Sequence, residues 1–193
     1  LRSLKRSPST YYKATCANVK AVERALADQD AGYGANEISL LVSATESHTQ
    51  KNLNRTRAEQ WQNIAPMADA ARGRFRMVGT ISVAFGCPFE GKVDAGSVIA
   101  DAQKFASLGV AHVAFGDTTG MATPQAVKQL FERVEGVTPV AHFHDTRGTG
   151  LVNYVAAYEA GVRHFDSSFG GVGGHPAKVK YGGGFTGNVC TED

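Results

Sequence analysis

No run of apolar residues in this chain approaches the roughly 20 needed to cross a bilayer, so no membrane helix is expected. A surface of one charge is equally absent, with 20 Lys and Arg against 18 Asp and Glu for a formal net charge of +2. With no basic stripe and no interleaved aromatics, nothing matches a nucleic-acid surface. Cysteine is scarce. Cys16, Cys87 and Cys190 are odd in number, far apart and contain no C-x-x-C pair. That pattern argues against a disulfide framework and for a reducing compartment, expected to be the cytoplasm, or the mitochondrion in a eukaryote. The opening "LRSLKRSPSTYY" has no initiator methionine and no apolar signal-peptide core, and reads as a start inside a longer protein.

What is present is an ordinary globular composition, 42% hydrophobic and 20% charged over 193 residues, enough for one substantial core. Extended and helical patterns alternate along it. "YYKATCANV" reads as strand and "AVERALADQ" as helix; "EISLLVSA" is a strand, followed by one long helical stretch, "QKNLNRTRAEQWQNIAPMADAA". "FRMVGTISVAF" is a strand and "AGSVIADAQKFASLG" a helix. "AHVAFGDT" is a strand and "TPQAVKQLFERV" a helix whose Thr123-Pro124 pair suits an N-cap and first-turn position. "TPVAHFHDT", "LVNYVAAYEAGV" and "RHFDSS" complete the series as strand, helix and strand. Such alternation predicts βαβ units and a parallel sheet. Six strands at intervals of roughly 30 residues match the repeat of a (β/α)8 TIM barrel, two repeats short of closure. A doubly wound open sheet would use the same six strands.

Polar residues gather where those strands end: Ser43 to Glu46, Asp117 to Thr119, His142 to Asp145 and Asp166 to Ser168. In both architectures, chemistry sits at the carboxyl ends of parallel strands. The stretch "VAHFHDTRG" is the most specific of these. In a strand, side chains alternate faces, so His142 and His144 share one face, and two imidazoles side by side suit a metal ion. The glycine-rich "FGGVGGHPAKVKYGGGFTGN" follows the last strand without matching a dinucleotide fingerprint. A loop at that place in a barrel is suited to closing over a ligand, and His175 lies on it.

These residues resemble the metal-dependent acyl-CoA lyases and synthases of the hydroxymethylglutaryl-CoA lyase kind, within the pyruvate carboxyltransferase-like TIM-barrel superfamily. The matching stretches are "LLVSATESHTQKNLN", "AFGCPFEGKV", "FGDTTGMATP", "HFHDTRGTGLVN", "FDSSFGGVGG" and "TGNVCTED", in family order from Glu37 to Asp193. "GCPFEG" and "GNVCTED" together point to the lyase branch. The resemblance implies one catalytic barrel domain over residues 1–193, lacking the first strands and the C-terminal end. It implies retro-Claisen cleavage of a 3-hydroxy-3-methylacyl-CoA to acetyl-CoA and a keto acid. The cofactor it implies is a divalent metal, Mg2+ or Mn2+ ahead of Zn2+. Its protein ligands would be His142, His144 and Asn188, with an aspartate from a first strand. His142 would also transfer a proton, Asp117 would help place the substrate, and Thr146 and Arg147 are further substrate-binding candidates. An acyl-CoA substrate and a homo-oligomer are expected, with no nucleic acid and no membrane as partners.

Two departures stand out. The family's Asp-Arg-Glu motif of the first strand does not occur, so these 193 residues alone are not expected to catalyse. The family's catalytic cysteine in "GGCP" is replaced in "GGHP", which makes His175 the candidate acid, since an imidazole titrates near neutrality. Cys87 matches a different cysteine of the family. A Claisen-type synthase, an aldolase on the same barrel and a non-catalytic metal-binding paralogue remain as alternative readings.

Overall fold

The computed structural model describes residues 3–174, 180–181, 184–185 and 187–193. Six parallel strands, β1 (Lys13–Cys16), β2 (Glu37–Ser43), β3 (Arg76–Ser82), β4 (His112–Asp117), β5 (Thr138–Phe143) and β6 (His164–Asp166), pair in chain order. Helices α1 (Val19–Asp30), α2 (Glu46–Leu53), α3 (Arg57–Ala71), α4 (Ala95–Ser107), α5 (Pro124–Phe131) and α6 (Gly150–Glu159) fill the crossovers. A doubly wound sheet reverses its strand order at a switch point. The order here never reverses, so the sheet is an arc of a (β/α)8 barrel. A short antiparallel pair, β7 (Lys180–Tyr181) and β8 (Gly184–Phe185), stands apart from it. No helix among the described residues is long and apolar enough to cross a membrane.

The two-residue period of each strand sorts its side chains. Ile38, Leu40 and Val42 of β2, Met77 and Ile81 of β3, Val113 and Phe115 of β4, and Ala141 and Phe143 of β5 join one core cluster with the helices. Phe105, Trp61, Ile64, Met67, Val127 and Leu130 supply the helical side of that core. Gly79 lets α4 lie close against β3: a Cβ there would stand 2.6 Å from the Phe105 ring. The other face of the arc is polar, with Ser39 and Thr80 hydroxyls hydrogen-bonded at 2.7 Å. Between the outer strands, Lys13 Nζ on β1 meets Asp166 Oδ2 on β6 at 3.1 Å.

Local signals explain most helix starts. Asn18 and Asp94 accept from Ala21 and Ser97 amides to cap α1 and α4. Thr123 caps α5 with Pro124 in its first turn, as that dipeptide predicts. The long helix expected after β2 is instead two helices. Asn54 ends α2 in the left-handed region, at φ 54°. Two residues later, Thr56 and Glu59 form a reciprocal capping box, with Thr56 N–H donating to Glu59 Oε2 at 2.8 Å and Glu59 N–H to Thr56 Oγ1 at 3.1 Å. Asparagine tolerates that left-handed conformation and T-x-x-E is a start signal, so the break was written in "NLNRTRAE".

A candidate metal and substrate site

At the carboxyl ends of the strands, the polar face opens into a cavity of about 330 Å³. Thr80 and Ser82 of β3, Gly116 and Thr118 at the end of β4, and His142 and His144 at the end of β5 line it. His48 and Asn52 enter from α2, and Gly173, Gly174 and Asn188 enter from the last loop. Directly after Ser82, Val83 turns the chain out of β3 in the left-handed region, at φ 53°, with its N–H donating to Thr118 Oγ1 at 2.9 Å. A β-branched residue is strained there.

The two imidazoles come together as the H-x-H spacing predicts, their ring centroids 5.2 Å apart and their planes at 77°. His142 Nδ1 is buried and makes no hydrogen bond; the nearest carboxylate, Asp166 Oδ2, is 3.9 Å away. Burial lowers the His142 pKa, and nearby Asp166 only partly opposes this. Burial thus favours the neutral ring, the form that offers a lone pair. His144 lies just past β5, 4% exposed, and its backbone bridges Asn188 in antiparallel fashion. The Asn188 amide nitrogen donates to Val172 O at 2.8 Å, which turns the amide oxygen away from that bond. That oxygen, Oδ1, is buried and has no hydrogen-bond partner. Gly173, at φ +116°, leaves room that a Cβ would take from the Asn188 amide nitrogen.

Buried, unsatisfied acceptors are costly unless something occupies them. An imidazole lone pair and an amide oxygen facing one cavity suit a divalent cation. Among the described residues, no group of three His, Cys, Asp or Glu side chains could hold a metal; the cavity lining brings together two imidazoles and one amide. Asn188→Ala in the full-length protein is expected to weaken divalent-metal affinity by at least about 10–100-fold, the loss typical of a disturbed coordination shell. Calorimetric titration with Mn2+ checks this, and an unchanged affinity would remove Asn188 from the donor set.

The other sequence candidates are placed differently. Asp117 is 1% exposed, and strand alternation puts it on the helix side with Val113 and Phe115, while its neighbours Gly116 and Thr118 face the cavity. Its carboxylate accepts from the amides of Met121 at 2.7 Å and Ala122 at 3.1 Å, pinning the turn after β4. Thr146 packs over Gly120 of that turn, with its Oγ1 buried and unpartnered. Arg147 is exposed, and its charge acts on Asp117. His175 lies outside the described residues. The α2 wall, His48 and Asn52, was missed. The signal was the break at Asn54, which confines α2 to two turns beside the end of β2 and sets residues four apart on one face.

Burial pushes the Asp117 carboxyl up from 3.8 to about 6, against the pull of its two amide donors. The folded chain thus keeps this proton to higher pH than the unfolded chain. Its contribution is fully present below about pH 4, falls by about 3 kcal/mol as pH rises to about 6, and is constant above that. Asp117→Asn, neutral throughout, is expected to remove this fall. Urea unfolding at several pH values tests it, and an unaltered slope would assign the titration to another group.

An arc of parallel β/α units with its polar side chains at the carboxyl ends of the strands defines a TIM-barrel protein. The chain belongs to the HMGL-like family, whose model matches residues 5–193. It is 37% identical over 198 residues to mitochondrial hydroxymethylglutaryl-CoA lyase of Rattus norvegicus, covering 100% of this chain and 58% of that protein. It is 35% identical to the 3-hydroxy-3-isohexenylglutaryl-CoA/hydroxy-methylglutaryl-CoA lyase of Pseudomonas aeruginosa, covering 98% of this chain and 62% of that protein. Among solved structures, an HMG-CoA lyase from Acinetobacter baumannii in complex with coenzyme A and 3-methylmalate superposes with a TM-score of 0.88 at 35% identity, covering 98% of this chain and 61% of that one. The chain thus spans about three-fifths of the length of these relatives.

Proposed function

We propose that the whole protein is a divalent-metal-dependent carbon–carbon lyase that cleaves a 3-hydroxy-3-methylacyl-CoA, of the hydroxymethylglutaryl-CoA kind, to acetyl-CoA and a keto acid. The observation that carries this reading is the convergence of His142, His144 and the unpartnered Asn188 oxygen on one cavity at the strand ends. Held by those three side chains, a divalent ion, Mg2+ or Mn2+ ahead of Zn2+, would supply Lewis acidity at the substrate's tertiary hydroxyl.

The chain's own residues do the rest. His142, kept neutral by burial, has a single lone pair, so it would take the hydroxyl proton in exchange for its hold on the ion. The carbon–carbon bond breaks as the keto-acid carbonyl forms, and its electron pair passes to the acyl-CoA α-carbon as an enolate. His175 returns a proton to that carbon. Thr146 and Arg147, which follow the histidines in the same turn, bind polar groups of the substrate. Asp117 acts as a positioning residue through the turn it pins.

The test is full-length protein with Mg2+ or Mn2+ and hydroxymethylglutaryl-CoA, with products followed by chromatography. Acetyl-CoA and acetoacetate should form, stop with chelator and resume on adding metal. Consumption of acetyl-CoA would mean a synthase, and metal binding without turnover a non-catalytic paralogue. In the same assay His175→Ala should lower turnover by about 10²–10⁴-fold with metal affinity kept, and His175→Cys should retain cleavage. Wild-type turnover by the alanine variant would exclude His175 as the acid.

A further inference from the structure

β5 and β6 pair as far as His142 against Asp166 and then part. The chain from Gly187 to Thr191 fills the fork between them. On one side, Asp145 N–H donates to Gly187 O at 2.9 Å and Val189 N–H to Phe143 O at 3.3 Å. On the other, Ser168 N–H donates to Val189 O at 3.1 Å and Thr191 N–H to Ser168 O at 3.0 Å. Val189, 2% exposed, anchors this insert in the core. It lies over Gly150, where a Cβ would stand 2.3 Å from its Cγ2. Asn188 reaches the cavity because the insert carries it there. At the point of the fork lies Tyr154, half-buried on α6. Its Oη accepts from Phe143 N–H at 3.4 Å and donates to Asp166 O at 2.5 Å. Its ring packs against Phe143 and Phe165, with centroids 5.0 and 5.6 Å away. Burial pushes the phenol up to about 12, so at neutral pH it keeps its proton and both hydrogen-bonding roles.

We propose that Tyr154 is a positioning residue for Asn188: its hydroxyl, bonded to both strands, holds the fork at the width that admits residues 187–191 and so sets the Asn188 amide oxygen beside the two histidines. This rests on the metal site of the lyase reading above. Without the hydroxyl, the Phe143 N–H and the Asp166 carbonyl are left to meet each other or water, and the strands are free to close on the space the insert occupies. Tyr154 acts through the backbone at the strand ends rather than on the ion.

The experiment uses the full-length protein with Tyr154→Phe, which removes the hydroxyl and keeps the ring, with Asn188→Ala, and with the two combined. In the metal-free protein, Tyr154→Phe should speed hydrogen exchange over residues 187–191, read by mass spectrometry, and leave β2 unchanged. In Mn2+ titrations by calorimetry it should lose about 10–100-fold in affinity, the range for a group that orients a ligand from behind. The double variant should lose no more than Asn188→Ala alone, because a residue acting only through Asn188 then has nothing left to act on. Losses that add, or exchange that rises equally in β2, would mean general support of the fold and overturn the proposal. Exchange or affinity unchanged by Tyr154→Phe would overturn it too. A wild type that binds no Mn2+ would defeat the metal reading, and the exchange result would then decide the role of Tyr154. Hydroxymethylglutaryl-CoA turnover is measured separately: Mn2+ binding that follows the expected pattern without cleavage would defeat the lyase reading and leave this one standing.

Discussion

Replacing His142 with alanine in the full-length protein is expected to lower turnover of hydroxymethylglutaryl-CoA by about 10²–10⁴-fold, the usual loss when an acid–base group is removed, and to weaken metal binding as well. The ring is well placed for both effects and poorly placed for a structural role. Its Nδ1 makes no hydrogen bond, so truncation breaks none there. Its neighbours on the cavity wall are Gly116 and Thr118 rather than the packed core. Thermal unfolding of the variant should consequently stay close to wild type while turnover collapses. Steady-state kinetics with a Mn2+ titration and a melting curve separate the two. Wild-type turnover and metal affinity together would take His142 out of the site.

The largest expected effect on stability lies one layer behind the cavity. Arg57, the first residue of α3, forks onto Asp101 of α4 with bonds of 2.7 and 2.8 Å. It also donates to the carbonyls of Ser43 and Ala44 at the end of β2. Asp101 is 6% exposed, and burial raises its pKa while Arg57 pulls it down. Taking away one partner of a buried pair leaves the other charge uncompensated, a loss of about 3 kcal/mol or more. Asp101→Ala should therefore lower the melting temperature by roughly 6–12 °C. The same variant should weaken whatever α2 contributes to the cavity, because Arg57 is the clamp between α4 and the strand end from which α2 departs. A melting temperature within about 2 °C of wild type would mean that the pair offsets little more than its own desolvation.

Much of this was legible from periodicity. The alternation of apolar residues in "EISLLVSA" and "AHVAFGDT" predicts strands with one face in the core, and H-x-H predicts two imidazoles on the other. Applied one residue further, the same period places Asp117 with Val113 and Phe115 on the helix side. The acidic residue after "AHVAFG" therefore pins a turn instead of facing the cavity. The break between α2 and α3 rests on a left-handed asparagine and a capping box, signals only a few residues long inside an otherwise helical composition. Overlooking it also hid His48, whose ring meets Ser43 Oγ across the strand–helix turn. The pairing of Asn188 with His144 joins residues far apart in sequence, and no local pattern reports it.

Every strand of the arc pairs with its neighbour in the chain, and this has a consequence for how the molecule is made. Each pairing closes a loop of only one β/α unit, so no strand must wait for a distant partner, and the cost of loop closure is met in small, similar steps. A chain emerging from the ribosome can lay β2 on β1, then β3 on β2, in the order of synthesis. The cavity does not share that locality. His48 is in place after the second strand, whereas His142, His144 and Asn188 arrive late in the chain. Within residues 1–193 the pocket therefore closes only after the six strands of the arc have been made.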